Sequence, residues 1–290
     1  MIPTLVRLGP VTITSLGVMI VLGFILGSFL IWKKTKEENF DEEKAMDAII
    51  VTTVFAFLVS RSLFVLFYFS EMGGNLLSWF DFVGKPGFSW IGALLGGIVS
   101  LVLFCKKHKW DFYKVADLFS FGLVLFAIFL HIGTFLDGSF YGTATSMPWG
   151  IKFIGLDGPR HPTQLYELIF MVILLKLLYF FDKNYRTYEW YKNKRGEALA
   201  GFLLAVFLAG FSLTKFMVGF FKEHDLYWML WQALTLLVFL VSLGIIYFRS
   251  GKSVDITLPR LPSFNLSYPT LKKRKKPKPK FRYKKGVDAK

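Results

Sequence analysis

Arg61, His131, Glu167 and Lys215 each interrupt a long apolar run. A charged side chain at the centre of a membrane helix costs about 2.5–3.5 kcal/mol, so each of them requires a partner or a purpose. An arginine fork and a lysine point charge both suit a phosphate, and a histidine takes or gives a proton near neutral pH. As a set, these types suit an anionic headgroup and the movement of one proton. Taken singly, each also has an ordinary reading: it snorkels to the interface, or pairs with Glu167 for structure. The run RHPTQLYE, Arg160 to Glu167, places Arg160, His161, Gln164 and Tyr166 at the mouth of one apolar run. Pro162 suits the first turn of a helix, whose N-terminal amides attract phosphate. In FLDGSFYG, Phe135 to Gly142, the glycines Gly138 and Gly142 let backbone approach a ligand or another helix, or form an ordinary turn.

These residues need elements to hold them. With 54% of its 290 residues hydrophobic and 33 phenylalanines, the chain carries more apolar surface than one soluble core buries, and its apolar runs approach the length a bilayer requires. The runs predict seven spans, Val11–Trp32, Met46–Tyr68, Phe88–Phe104, Val115–Phe135, Thr163–Phe181, Ala198–Phe221 and Tyr227–Phe248. From one end to the other, the segments outside them carry 1, 4, 1, 4, 2, 5, 1 and 14 Lys and Arg residues, an unbroken alternation. Basic residues mark cytoplasmic loops, so the fold class is an all-α, polytopic membrane protein with an extracytoplasmic N-terminus and a cytoplasmic C-terminus. That orientation puts Arg61, His131, Glu167 and Lys215 in one layer at the outer ends of four helices, about 10 Å deep or less, near phospholipid glycerol and phosphate. Lys176, Asp47 and Asp117 lie near inner ends and are expected to be structural. The connection Leu136 to Pro162 faces outward and is long enough to carry function.

Several classes are disfavoured. The net charge of +15 suggests nucleic acid, but 14 of the 35 basic residues lie at or after Arg249, so no nucleic-acid partner is expected. A lone cysteine, Cys105, forms no internal disulfide and no cysteine metal cluster. The first apolar run is too long for a signal peptide and is expected to remain as a span. Residues 1–250 are expected to form the seven-helix domain, and 251–290 a basic, disordered tail. That tail serves as a topology anchor or as a contact for anionic lipid, worth roughly 1 kcal/mol per basic residue near the surface. No inverted pair of broken helices suggests a transporter, which would also place its charges nearer mid-membrane.

Together these segments resemble the prolipoprotein diacylglyceryl transferase family. RHPTQLYE is nearly the family's arginine, histidine, proline, serine, glutamine, leucine, tyrosine, glutamate run. GPVTITSLGVMIVLGF, SRSLFVLFY, GFSWIGALLGG and GTFLDGSFYG are similar in spacing to further family segments, so the resemblance covers Gly9 to Tyr247. It implies a multi-pass protein of the bacterial cytoplasmic membrane that transfers the diacylglyceryl group of phosphatidylglycerol to the lipobox cysteine of an exported prolipoprotein. Glycerol phosphate leaves and a thioether forms. The implied partners are phosphatidylglycerol, the prolipoprotein signal peptide with its lipobox cysteine, and the bilayer; no metal or cofactor is implied. His131, Lys215 and Glu167 are the expected catalytic residues, and Arg61, Gly138, Gly142, Arg160, His161, Gln164 and Tyr166 the expected phospholipid-binding ones.

The sequence departs from the family at reactive positions. A family histidine is Ile91 here, followed by Gly92 and Ala93. In the segment that the family writes arginine-x-glycine-asparagine-phenylalanine-x-asparagine-glycine-glutamate, the arginine is His131, the asparagines are Thr134 and Asp137, and the glutamate is Ser139; Gly133, Phe135, Gly138 and Gly142 remain. A sixth-span arginine aligns with Lys215, its neighbouring glutamate with Gly219, and a first-span tyrosine with Leu16. Two readings follow. In the first, a divergent transferase holds phosphate with Lys215 and Arg61, uses His131 as base or cation, and uses Glu167 to orient a neighbouring donor. In the second, a catalytically inactive member binds phospholipid or lipoprotein signal peptides.

Overall fold

The computed structural model describes residues 3–8, 11–69, 79, 87–188, 199–222 and 226–249. Among them are seven helices long and apolar enough to cross a bilayer: α1 Ser15–Glu37, α2 Glu42–Phe67, α3 Trp90–His108, α4 Phe112–Asp137, α5 Thr163–Asn184, α6 Phe202–Gly219 and α7 Leu226–Arg249. Even α6, with 18 residues, extends about 27 Å. The expected tail, 251–290, lies outside the described residues.

Most span ends differ from expectation by a few residues, as where α2 begins at Glu42 and α3 ends at His108, and three differences change how the chain is read. Val11–Thr14 is not the start of α1 but a strand, β2, paired antiparallel with β1, Thr4–Leu8. Its four residues are all β-branched, apolar and polar in turn, and the Thr14 hydroxyl then caps α1 by accepting from the Gly17 amide at 3.1 Å. α1 also runs on to Glu37, carrying Lys34 inside the helix. α6 begins at Phe202, after Gly201 in the left-handed region at φ 93°. A second small hairpin, β3 Ile151–Lys152 with β4 Pro159–Arg160, sits in the α4–α5 connection, so strands supplement the all-α expectation only outside the spans.

α4 is the central helix. Most of its apolar stretch is buried among α1, α3, α5 and α6, whereas α7 packs on α6 and leaves most of its surface outward. Lipid is as apolar as leucine, so close packing and polar contacts, rather than escape from water, must hold such helices together. Phe121 and Val124 of α4 accordingly interlock with Met171 and Leu178 of α5 and Phe202 of α6. α1 meets α4 backbone to backbone at Gly27 and Gly122, where a Cβ on Gly122 would come 2.7 Å from the Gly27 carbonyl. Asp117 of α4 accepts from the amides of Gly201 and Leu204, each at 2.7 Å, and so satisfies the start of α6 across the helix boundary. That is a structural role for Asp117, as expected from its position.

Candidate active site

The succession α4, α5, α6 runs up, down and up, so the end of α4, the start of α5 and the end of α6 meet. Glu167 stands one turn into α5 and is 4% exposed. Lys215 Nζ lies 2.7 Å from its Oε2, and His131 Nδ1 lies 3.1 Å from the same oxygen. Three of the four residues expected in the outer layer therefore converge, from three helices, on one carboxylate. Lys222 Nζ joins them, 3.4 Å from Oε1 and 5.1 Å from the centre of the Trp228 ring. Sequence reasoning counted Lys222 only as a loop charge. Its nearness was the available signal, since Lys222 directly follows the expected sixth span and lies seven positions after Lys215; α6 ends at Gly219, and the turn after it carries Lys222 to the same carboxylate. Burial holds Lys222 below the ordinary lysine range; Glu167 opposes that shift and Lys215 adds to it.

The remaining expected residues surround this cluster or lie apart from it. His161 Nδ1 is 3.1 Å from the Tyr166 hydroxyl, and both rings pack on Phe221, the residue before Lys222. Arg160 closes the second hairpin, with its guanidinium over Tyr141 and Nη1 3.5 Å from the Gly142 carbonyl. Gln164 donates from Nε2 to the Ser139 carbonyl, and Thr163 Oγ1 donates to the Phe140 carbonyl at 2.7 Å. These bonds hold the segment that follows α4 onto the first turn of α5. Gly138 caps α4 in the left-handed region at φ 82°. A Cβ on Gly142 would meet the Phe221 carbonyl at 2.4 Å, so close packing already accounts for that glycine. Thr143 donates to the same Phe221 carbonyl from its amide at 2.8 Å and its hydroxyl at 3.3 Å. Arg61 is buried, and its described contacts lie along the α2–α3 connection: the carbonyls of Trp79 and Gly87, each at 2.9 Å, and the rings of Phe64 and Phe88.

A sequence model of the prolipoprotein diacylglyceryl transferase family matches residues 3–248. The chain belongs to this family. Similar relatives include the phosphatidylglycerol-prolipoprotein diacylglyceryl transferase of Clostridioides difficile, 32% identical over 174 residues, which are 60% of this chain and 68% of the relative. That of Clostridium tetani is 32% identical over 187 residues, 63% of this chain and 74% of the relative. That of Mannheimia succiniciproducens is 30% identical over 228 residues, 77% of this chain and 80% of the relative.

Within the family, the substituted positions separate by location. His131 and Lys215, which the resemblance sets against family arginines, are both basic and both reach Glu167. Leu16 packs instead at the α1–α4 contact beside Gly133, Gly219 faces Gln232 of α7, and Ile91 is an exposed residue of α3. Among the described residues, no group of three or more His, Cys, Asp or Glu side chains is placed to hold a metal ion.

Proposed function

We propose that this protein transfers the diacylglyceryl group of phosphatidylglycerol to the lipobox cysteine of exported prolipoproteins, with Glu167 and its three basic neighbours as the reacting centre. It is a multi-pass protein of the bacterial cytoplasmic membrane, in a family whose relatives are named for this donor and this acceptor. One observation carries the assignment of the site: a single buried carboxylate holds two lysines and a histidine, so the cluster has more positive charge than it neutralises. A phosphate diester supplies the missing negative charge.

In the reaction, the cysteine sulfur attacks the glycerol carbon that bears the phosphate ester. The S–C bond forms, the C–O bond breaks, and glycerol phosphate leaves with the bonding electrons. A carboxylate oxygen beside Nδ1 favours a proton on that nitrogen, which leaves the His131 Nε2 lone pair to take the thiol proton. Lys215 and Lys222 offset the charge that develops on the departing phosphate. The alternation of basic loops faces this end of the bundle away from the cytoplasm, where an exported lipobox is presented, and leaves the basic tail beside the anionic inner leaflet.

The test supplies purified protein in detergent with phosphatidylglycerol labelled in its diacylglyceryl group and a lipobox-cysteine peptide. Label is expected on the peptide thiol, with the rate lowered about 100-fold or more by Lys215→Ala. Binding of lipid or peptide without any transfer would refute catalysis. Cytoplasmic labelling of the Leu136 to Pro162 connection would refute the orientation.

A further inference from the structure

Beside the charged cluster are two buried oxygens that the fold leaves unsatisfied. Gln164 is 1% exposed, and its amide orientation is set by Ser139, whose carbonyl takes the Nε2 donor; the amide oxygen therefore faces elsewhere. Among the described residues, neither Gln164 Oε1 nor the buried Ser139 Oγ has a hydrogen-bond partner. Gln164 precedes Glu167 by three positions on α5, so the acceptor and the cationic cluster share one helix face within a turn. Backbone strain is stored at the same point. Phe140, a bulky residue, sits at φ 60°, held there while its carbonyl accepts from Thr163 Oγ1.

We propose that Gln164 Oε1, with the Ser139 hydroxyl beside it, receives the hydroxyl groups of the phosphatidylglycerol headgroup and thereby selects this donor from phospholipids of equal charge. The inference rests on the transferase reading and adds the part of the lipid that is read. The headgroup joins a phosphate to a glycerol whose hydroxyls lie a few bonds away, which matches cations and a bare acceptor one turn apart. The Gly138–Gly142 segment covers the amide, and the strained Phe140 backbone is the place where that cover yields to admit the donor.

The test compares phosphatidylglycerol with phosphatidylpropanol, which has the same charge and no headgroup hydroxyl. Wild-type protein is expected to favour phosphatidylglycerol in kcat/KM by about ten-fold or more, the cost of leaving one buried acceptor unpaired. Gln164→Leu is expected to bring the ratio close to one by slowing the phosphatidylglycerol reaction far more than the other. Ser139→Ala is expected to lower the ratio part-way. A wild-type protein indifferent to the two donors overturns the inference and leaves the transferase reading intact. Equal slowing on both donors by Gln164→Leu does the same, because an amide that serves only packing or the peptide substrate acts on both alike. Lipid binding, followed by native mass spectrometry, separates the converse case. A protein that transfers from neither donor, yet prefers phosphatidylglycerol and loses that preference on Gln164→Leu, keeps the inference and ends the transferase reading. Equal binding of both lipids by such a protein overturns the two together.

Discussion

Glu167 and Asp182 occupy opposite ends of α5, fifteen residues and about 22 Å apart, and each binds a lysine, half-buried Lys215 at one end and buried Lys34 at the other. At the Asp182 end, Lys34 Nζ lies 2.7 Å from both Asp182 and Glu37 and sits over the rings of Phe121 and Tyr179. One base there meets two acids. At the Glu167 end one acid meets three basic groups. The same pairing thus has opposite surpluses: negative at one end, where an anion would be repelled, and positive at the other, where an anion completes the set. A lysine–carboxylate pair within the bundle is therefore a lock or a receptor according to which partner is in excess.

The substitution expected to break that contrast most sharply is Glu167→Gln. It keeps the shape but leaves two lysines and a histidine without their acid, so transfer should fall about 10²–10⁴-fold, with a loss of about 3–5 kcal/mol in stability. Transfer rates and thermal melts on the same preparation measure both. His131→Ala removes the proposed base, and a loss of about 10²-fold in transfer by the folded protein is expected, with some loss of stability because the side chain is buried. Transfer at the unmodified rate would withdraw that role. Lys34→Met tests the opposite end: stability should drop by about 1–3 kcal/mol, less than for a fully buried pair because Glu37 is exposed, while kcat/KM of the folded protein holds.

The smallest effect concerns pH. Lys222 titrates below the ordinary lysine range, so its positive charge is present at low pH and is lost as pH rises through that depressed value. Transfer should then decline on the alkaline side earlier than an ordinary lysine would cause, and Lys222→Arg should move that limb upward. The unfolded chain keeps the proton longer, so this one group makes folding more favourable as pH climbs through the same window. A pH–rate profile and pH-dependent melts report the two signs separately.

What the sequence disclosed follows from hydrocarbon as a solvent. Because a membrane makes isolated charge expensive, Arg61, His131, Glu167 and Lys215 were legible as a set, and three of the four meet, while the described contacts of Arg61 lie along the α2–α3 connection. Lys222 and Lys34 were not legible, for a related reason: each sits at the edge of an apolar run, where counting treats a lysine as solvated, yet each is folded back onto an acid. Gly142 was expected to admit a ligand, and its space is taken by Phe221, Thr163 and His161. A glycine signals close approach without naming what approaches. The hairpin before α1 was hidden because Val11–Thr14 runs without a break into the apolar stretch of the helix it precedes.

The bond from Gly201 to Asp117 also sets a length. Asp117 to His131 is fourteen residues along α4, and Gly201 to Lys215 is fourteen along α6, about 21 Å on each of two helices running the same way. Joining the two rods at their lower marks brings the upper marks level, where Glu167 from the descending helix meets both. The capping carboxylate at the far end of the bundle thus acts as the zero of a ruler, and an insertion of one residue between Gly201 and Lys215 would turn the lysine by about 100° and lift it about 1.5 Å out of register.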